Sequence, residues 1–418
     1  MIGSKLLFNL RLEVFFIALL PVSIVLGNFI LNLNIFFIIA LYLYNNYQNI
    51  NILKNLKSDN YFLLFLILFL IFNAAFSTDF KLTLKGQLGF VKHLILYLSL
   101  CYFFVKNDQT FKIFINILLL VILLTLFDTF WQFLFKKDLL GHYLIESHGN
   151  RLSGPFGDEY IVGGFILKTI FFTRNHKLLN KNYNWVFYII ISYIIVILAS
   201  QRMPTIMFSF SLIFLFFLDK RFNFKLIIIT SIIAFLGVLI IFNIAPKIKK
   251  HYLDRTFEQI GVYQKGNINN FWDSQWGAHY LTSIEIFKDS KLLGAGIKNF
   301  RVACQKESYS NIKSSKTMVR CATHPHNIYF EILAETGVIG ITIFSFLMLN
   351  FIRSTKVLNW KLLMRNPEIL ILFFIFFWPV QSTGSLFSTW NGFFYPLFFS
   401  YVYYISKKFN EEKFNRLD

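Results

Sequence analysis

Charged residues are scarce in this sequence, where Asp, Glu, Lys and Arg make up 15% of 418 residues. A soluble globular domain carries about 25%. Apolar residues instead form long runs; residues 61–76, for example, contain one strongly polar side chain, Asn73. Such runs predict transmembrane helices, because in lipid a helix satisfies its own backbone groups. The composition therefore excludes an ordinary soluble enzyme.

Acidic residues are also few, and no DNA- or RNA-binding motif accompanies the resulting positive charge. The chain has 41 Lys and Arg against 22 Asp and Glu, a formal net charge of +19. Such a charge on a soluble protein would suggest a nucleic-acid partner. Membrane proteins, however, accumulate Lys and Arg in their cytoplasmic loops. We therefore expect membrane lipids, and no nucleic acid, as partners.

A signal-peptide cleavage site is missing from the N-terminal segment. Lys5 and Arg11 precede an apolar stretch over residues 14–44, but no small-x-small sequence ends its first half. We interpret this stretch as an uncleaved helical hairpin.

The apolar runs predict an all-α, polytopic membrane bundle of about twelve helices with both chain ends in the cytoplasm. Every predicted inner loop is basic and two outer loops carry no Lys or Arg, an alternation that requires an even number of spans. We divide the chain into residues 1–244 with nine spans, a periplasmic loop at 245–326, and residues 327–418 with three spans and a cytoplasmic tail. The spans are residues 13–27, 28–44, 61–77, 88–105, 114–135, 160–173, 184–199, 203–218, 225–244, 327–352, 367–383 and 389–405.

Two outer segments, residues 136–159 and 245–326, are the polar parts of the chain and the expected location of its chemistry. The longer one predicts an amphipathic helix around residues 281–287, followed by a turn at residues 294–296. Cys304 and Cys321 also lie there, on the oxidising side of the membrane, where a disulfide is permitted. Two free thiols are the alternative.

The most informative stretch is residues 324–340, where the long loop re-enters the membrane. It places two histidines and two glutamates, His324, His326, Glu331 and Glu335, at the head of a span. Ionisable groups in that position usually face a cavity or a site, and a helix N-terminus favours anions. The spacing does not match the i, i+4 pairing of a zinc-binding helix. A structural role for the histidines, capping the helix, is the other alternative.

This stretch resembles the signature of the bacterial O-antigen ligase family, which also includes O-antigen polymerases and pilin-glycosylating oligosaccharyltransferases. In the signature, a His-Asn pair is separated by nine residues from a following Gly-x-x-Gly. The sequence departs from the family at residues 273–280, where many members carry another arginine and this chain has Gln275 and His279. The matching landmarks, which cover about residues 150–345, are in chain order Arg151-Leu152-Ser153-Gly154-Pro155, Ser200-Gln201-Arg202, Arg255, Gly294-Ala295-Gly296, His326-Asn327 and Gly337-Val338-Ile339-Gly340.

The resemblance implies a GT-C-like membrane glycosyltransferase whose active site faces the periplasm from the bacterial inner membrane. His326 would be the general base of an inverting transfer that needs neither a metal nor another cofactor. The donor would be a glycan on undecaprenyl pyrophosphate and the acceptor a lipopolysaccharide core sugar or another glycan. The implied substrate-binding residues are Arg202, Arg255, Arg151, Glu335 and His324.

Each of these assignments has a plainer alternative. The alternatives are a charge that reaches the membrane interface for Arg202, solvated loop charges for Arg255 and Arg151, and a local cap for Glu335. At the level of the whole protein, the nearest rival is a polymerase that extends a lipid-linked repeat. A transporter with twelve spans is a rival from another class, but the large outer loop and the lack of a detectable internal repeat count against it.

Overall fold

The computed structural model describes residues 2–47, 60–144, 151–259, 271–312, 314 and 317–414, and this part of the chain contains helices and no β-strand. The predicted all-α class is confirmed. The helices are α1 (Ile2–Leu26), α2 (Asn28–Tyr47), α3 (Asn60–Ala75), α4 (Phe80–Lys106), α5 (Asp108–Phe135), α6 (Val162–Thr169), α7 (Asn182–Leu198), α8 (Arg202–Leu218), α9 (Phe224–Ile244), α10 (Pro246–Tyr252), α11 (Asp254–Gln259), α12 (Gln275–Asp289), α13 (Phe300–Ala303), α14 (Ile328–Thr355), α15 (Trp360–Arg365), α16 (Glu368–Phe377) and α17 (Thr389–Phe414).

A helix stands at each of the twelve predicted spans. Five of them, α2, α4, α5, α9 and α14, are long and apolar enough to cross a membrane. Several others are apolar but shorter, such as α7 and α16. The chain is therefore a multi-pass membrane protein, whereas the count of twelve crossings stays a prediction.

The bundle has an aromatic core and an apolar exterior. Phe103, Phe104, Phe171 and Phe393 are buried in one large cluster that joins most of the helices. By contrast, α9 exposes large apolar side chains, with Phe235 63% accessible. An apolar exterior of this kind is stable in hydrocarbon, since lipid tails replace the neighbours that water could not.

Charged residues from three predicted inner loops meet at one end of the bundle. Arg174 forms ion pairs with Asp219 at 2.9 Å and with Glu368 at 3.2 Å, and Arg221 also pairs with Asp219 at 2.9 Å. These residues follow α6, follow α8 and begin α16. These loops therefore lie together in the structure. The charge pattern along the sequence assigns all of them to the cytoplasmic side, which requires them to lie at the same end of the bundle.

The long outer segment folds onto the other end of the bundle around a small core of its own. Ala278, Phe300 and Tyr309 are buried there against Ala334 of α14. Cys304 and Cys321 form a disulfide with Cα atoms 5.3 Å apart, so the pairing that the compartment permits is present.

The glycine motifs join this segment to α14, which breaks at Gly337 with φ +61°. The Val338 N–H donates to the carbonyl of Lys291 at 2.8 Å, and the Ala295 N–H donates to the carbonyl of Ala334 at 2.8 Å. A Cβ on Gly337 would lie 2.5 Å from the Leu292 carbonyl oxygen. The turn at residues 294–296 therefore packs against the break in α14. The segments around the Gly-x-Gly turn and the Gly-x-x-Gly motif contact each other directly.

Topology is the first prediction. We expect a periplasmic reporter fused near residue 280 to be active and the same reporter at the C-terminus to be inactive, because the basic loops belong in the cytoplasm. A cytoplasmic reporter at the same two positions serves as the control and should give the reverse pattern. An active periplasmic reporter at the C-terminus would contradict the assignment.

Candidate active site

A cavity of about 1460 Å³ opens where the long outer segment meets the bundle. The predicted residues Arg151, Arg202, His324 and His326 all line it. Arg202 is the first residue of α8, whose last turn precedes Asp219, so roughly 25 Å of helix separates the cavity from the ion-pair cluster. Residues far apart in the sequence thus meet at the end of the bundle that the topology assigns to the periplasm.

His326 lies directly before α14 in a constrained backbone. Its φ of +59° is in the left-handed region, which is unfavourable for a residue with a Cβ. The carbonyl of His326 accepts a hydrogen bond from the Thr383 N–H at 2.7 Å. Asn327 caps the helix through the N–H of Tyr329 and donates to the carbonyl of Pro379 at 2.8 Å. This cap explains the Asn of the His-Asn pair and aims the imidazole into the cavity.

Three other rings surround the His326 imidazole. The ring centroid of His324 is 4.2 Å away, that of Trp276 5.1 Å and that of His279 5.6 Å. His324 Nε2 lies 3.1 Å from the Thr383 carbonyl, to which it can donate. His279 Nδ1 can likewise donate to the carbonyl of Arg320 at 3.0 Å. Each contact assigns the N–H of a neutral ring to the bonded nitrogen, while burial lowers the pKa of both histidines despite these hydrogen bonds.

Burial, together with the neighbouring His324 and His279, lowers the pKa of His326 to about 3. Burial also lowers the pKa of His324 to about 4. Both rings are therefore neutral at physiological pH, and a neutral imidazole is the form that accepts a proton.

The second prediction follows from this shift. We expect kcat/KM for transfer to stay constant as the pH falls through 6.5, the ordinary histidine pKa, because His326 remains a neutral base well below it. Trp276→Ala should admit water to the His326 imidazole and so raise its pKa. The pH at which kcat/KM falls should then move up towards 6.5. If kcat/KM of the wild-type protein already falls near pH 6.5, the pKa of His326 is not lowered. The measurement is the rate of transfer by purified protein in lipid, at low donor concentration.

The predicted arginines lie along another part of the cavity wall. The Arg202 guanidinium donates to Thr256 Oγ1 at 3.2 Å. That of Arg151 stacks on the Tyr160 ring at 4.9 Å and donates to the Tyr160 carbonyl at 3.3 Å. Burial lowers the pKa of Arg151, and its Nε is buried without a hydrogen-bond partner in the described structure. Arg255 belongs to α11, but its side chain lies outside the described residues.

Glu335 does not line the cavity. Its carboxylate accepts hydrogen bonds from the N–H groups of Lys298 at 2.6 Å and Phe300 at 3.0 Å. Glu331 is also buried and accepts from Ser385 Oγ and from the Leu386 N–H. These contacts favour the local role for Glu335, which positions the turn after Gly296.

Sequence reasoning missed three cations of the cavity, Lys168, Lys298 and Arg301. Lys168 is bonded to Asn391 and lies 5.1 Å from the centroid of the Phe394 ring. Lys298 and Arg301 directly follow the Gly294–Gly296 turn, so their proximity to that landmark was a usable signal. His279, noted only as a departure from the family, packs against the predicted base.

Residues 187–345 match the family model described as O-antigen ligase. This part of the chain is similar to the O-antigen ligase domain. The match includes α8, the long outer segment and the His-Asn motif, and it supports a ligase- or polymerase-type enzyme. No curated protein matches the chain.

Proposed function

We propose that this O-antigen ligase-like protein transfers a glycan from undecaprenyl pyrophosphate to a lipopolysaccharide core sugar at the periplasmic face of the inner membrane. The observation that carries the proposal is the meeting of His326 with Arg151 and Arg202 around one cavity. A base for an acceptor hydroxyl and cations for a pyrophosphate are the two groups that this transfer requires.

The donor is amphiphilic, and so is the cavity. Its lining includes apolar side chains beside the arginines, among them Ile24 of α1 and Met203 and Ile206 of α8. A prenyl chain can lie along these side chains while its pyrophosphate faces Arg151 and Arg202. Guanidinium groups bind phosphate oxygens as forks and stabilise the charge of a leaving pyrophosphate.

In the proposed reaction, the acceptor oxygen attacks the anomeric carbon while His326 accepts the hydroxyl proton. The bond from the anomeric carbon to the pyrophosphate oxygen breaks, and undecaprenyl pyrophosphate leaves with the electron pair. Attack opposite the leaving group inverts the anomeric configuration. Arg202 and Arg151 stabilise the negative charge that grows on the leaving group.

A polymerase would need the same leaving-group chemistry and differs only in its acceptor, a second lipid-linked repeat. The lipopolysaccharide of a deletion strain separates the two functions on a gel. We expect loss of every band in which the core carries O-antigen. Core with a single repeat would instead indicate a polymerase, and an unchanged pattern would contradict both.

Resistance to chelation is the third prediction. We expect transfer by purified protein to survive excess EDTA, since arginines supply the positive charge that a divalent ion supplies in other phosphate sites. A metal-dependent glycosyltransferase assayed in the same buffer is the control. Loss of transfer in EDTA and its return with Mg²⁺ or Mn²⁺ would contradict the arginine-based mechanism.

A further inference from the structure

Lys298 and Arg301 form a second cationic pair in the cavity, which the transfer described above does not use. Both side chains line the cavity, and no carboxylate in the described part of the chain forms an ion pair with either one. The Arg301 Nε atom is buried with no hydrogen-bond partner in the described structure. The buried carboxylates of Glu331 and Glu335 act electrostatically on this pair, but neither forms an ion pair with it. A buried N–H without a hydrogen-bond partner is costly, so the unpaired Nε of Arg301 points to a ligand that accepts from it.

The backbone that carries this pair is fixed from two sides. Lys298 has a left-handed φ of +66°, held by its N–H bond to Glu335. Asn299 donates to Thr83 Oγ1 at 2.6 Å and accepts from the Asp79 N–H at 2.6 Å. The turn is thereby attached to both α14 and α4. A strained and doubly fixed backbone that directs two cations into a cavity is typical of a binding site.

The pair has different neighbours from the arginines assigned to the donor. Arg151 and Arg202 both act electrostatically on Tyr252 of α10. Arg301 instead acts on His324, and the pKa of Lys298 is lowered by burial and then by Arg301 and Lys85. Two groups of positive charge therefore border the cavity that contains His326.

An inverting displacement gives these two groups different roles. The leaving pyrophosphate and the attacking hydroxyl lie on opposite faces of the anomeric carbon. With Arg151 and Arg202 at the pyrophosphate, an anion at Lys298 and Arg301 would belong to the molecule that brings the hydroxyl. We propose that Lys298 and Arg301 bind a phosphate or pyrophosphate group of the acceptor, so that the acceptor is a phosphate-bearing glycan.

This inference rests on the proposed function and narrows its acceptor. Two sources of the phosphate are compatible with the same chemistry: a phosphorylated lipopolysaccharide core and the pyrophosphate of a second lipid-linked repeat. Each gives one arm of the test, in which the acceptor is compared with the same glycan after its phosphate has been removed.

We expect the wild-type protein, in one arm, to show a KM roughly 10- to 100-fold lower for the phosphate-bearing acceptor than for its phosphate-free form. Lys298→Gln/Arg301→Gln should abolish this ratio and leave the donor Kd unchanged. The acceptor for which removal of the phosphate raises KM, either the lipopolysaccharide core or the lipid-linked repeat, is the source of the phosphate. Arg301→Lys should retain part of it, because charge remains without the fork.

The matched control is Lys291→Gln/Lys306→Gln, which removes the same charge from the same loop at exposed positions outside the cavity lining. It should keep the wild-type ratio. Where the double variant fails to fold, Arg301→Gln is scored on the same ratio.

Equal KM values of wild type for both forms in both arms would overturn the inference, as would a double or single variant that loses donor affinity at normal stability. Transfer to some acceptor would still be measured in those cases, so the proposed function would stand. Absence of transfer by wild type to every acceptor would instead contradict the proposed function itself.

Discussion

Replacing His326 with alanine should lower kcat by about 100- to 10,000-fold, the usual contribution of a general base, and leave the Kd for the lipid-linked donor unchanged. The imidazole faces the cavity among His324, His279 and Trp276. In the proposed reaction it contacts the acceptor hydroxyl and not the pyrophosphate. Its loss therefore removes a proton acceptor and no binding contact to the donor.

Two control variants make this prediction specific. His324→Ala should have a smaller effect, because His324 contacts the Thr383 carbonyl and supports its neighbour. His142→Ala removes a histidine that pairs with Asp138 outside the cavity and should change nothing. The measurements are donor binding and single-turnover transfer, after membrane insertion has been checked. Full activity of His326→Ala would end the assignment, and an inactive His324→Ala beside an active His326→Ala would move the base two residues upstream.

Sequence reasoning predicted the helices well because hydrocarbon imposes a simple rule. A run such as residues 224–244 contains few polar groups, and in lipid a helix is the structure that satisfies its backbone. The short helices α6 and α16 were harder to bound, since α6 continues into a 3-10 helix at Ile170–Thr173 and α16 ends just before bends at residues 379–381. The break at Gly337 was also missed, because the hydropathy of α14 does not change there.

Three residues that the sequence singled out, Arg202, Arg151 and His326, line one cavity, and their roles stay predictions. Glu335 instead accepts hydrogen bonds from two backbone N–H groups, a choice between ligand and backbone that the sequence alone left open. Lys298 and Arg301 were missed for the converse reason. The turn at Gly294–Gly296 docks into α14 and places them in the cavity lining, and the sequence does not show this packing.

Removing the charge of Arg202 should act differently from removing the base. Arg202→Ala is expected to weaken donor binding by about 10- to 150-fold, which corresponds to a charged hydrogen bond of roughly 1.5–3 kcal/mol.

The rate of transfer should fall further, since the leaving pyrophosphate gains charge in the transition state. Arg202→Lys should restore little of either quantity, because an ammonium cannot contact two phosphate oxygens as a planar fork. The matched control is Arg353→Ala, which removes an exposed guanidinium from the far end of α14. Donor Kd and single-turnover rate, measured in the same vesicles, separate the two effects. An Arg202→Ala protein that binds donor as tightly as wild type would show that Arg202 lies at the membrane interface without a role in the pyrophosphate site.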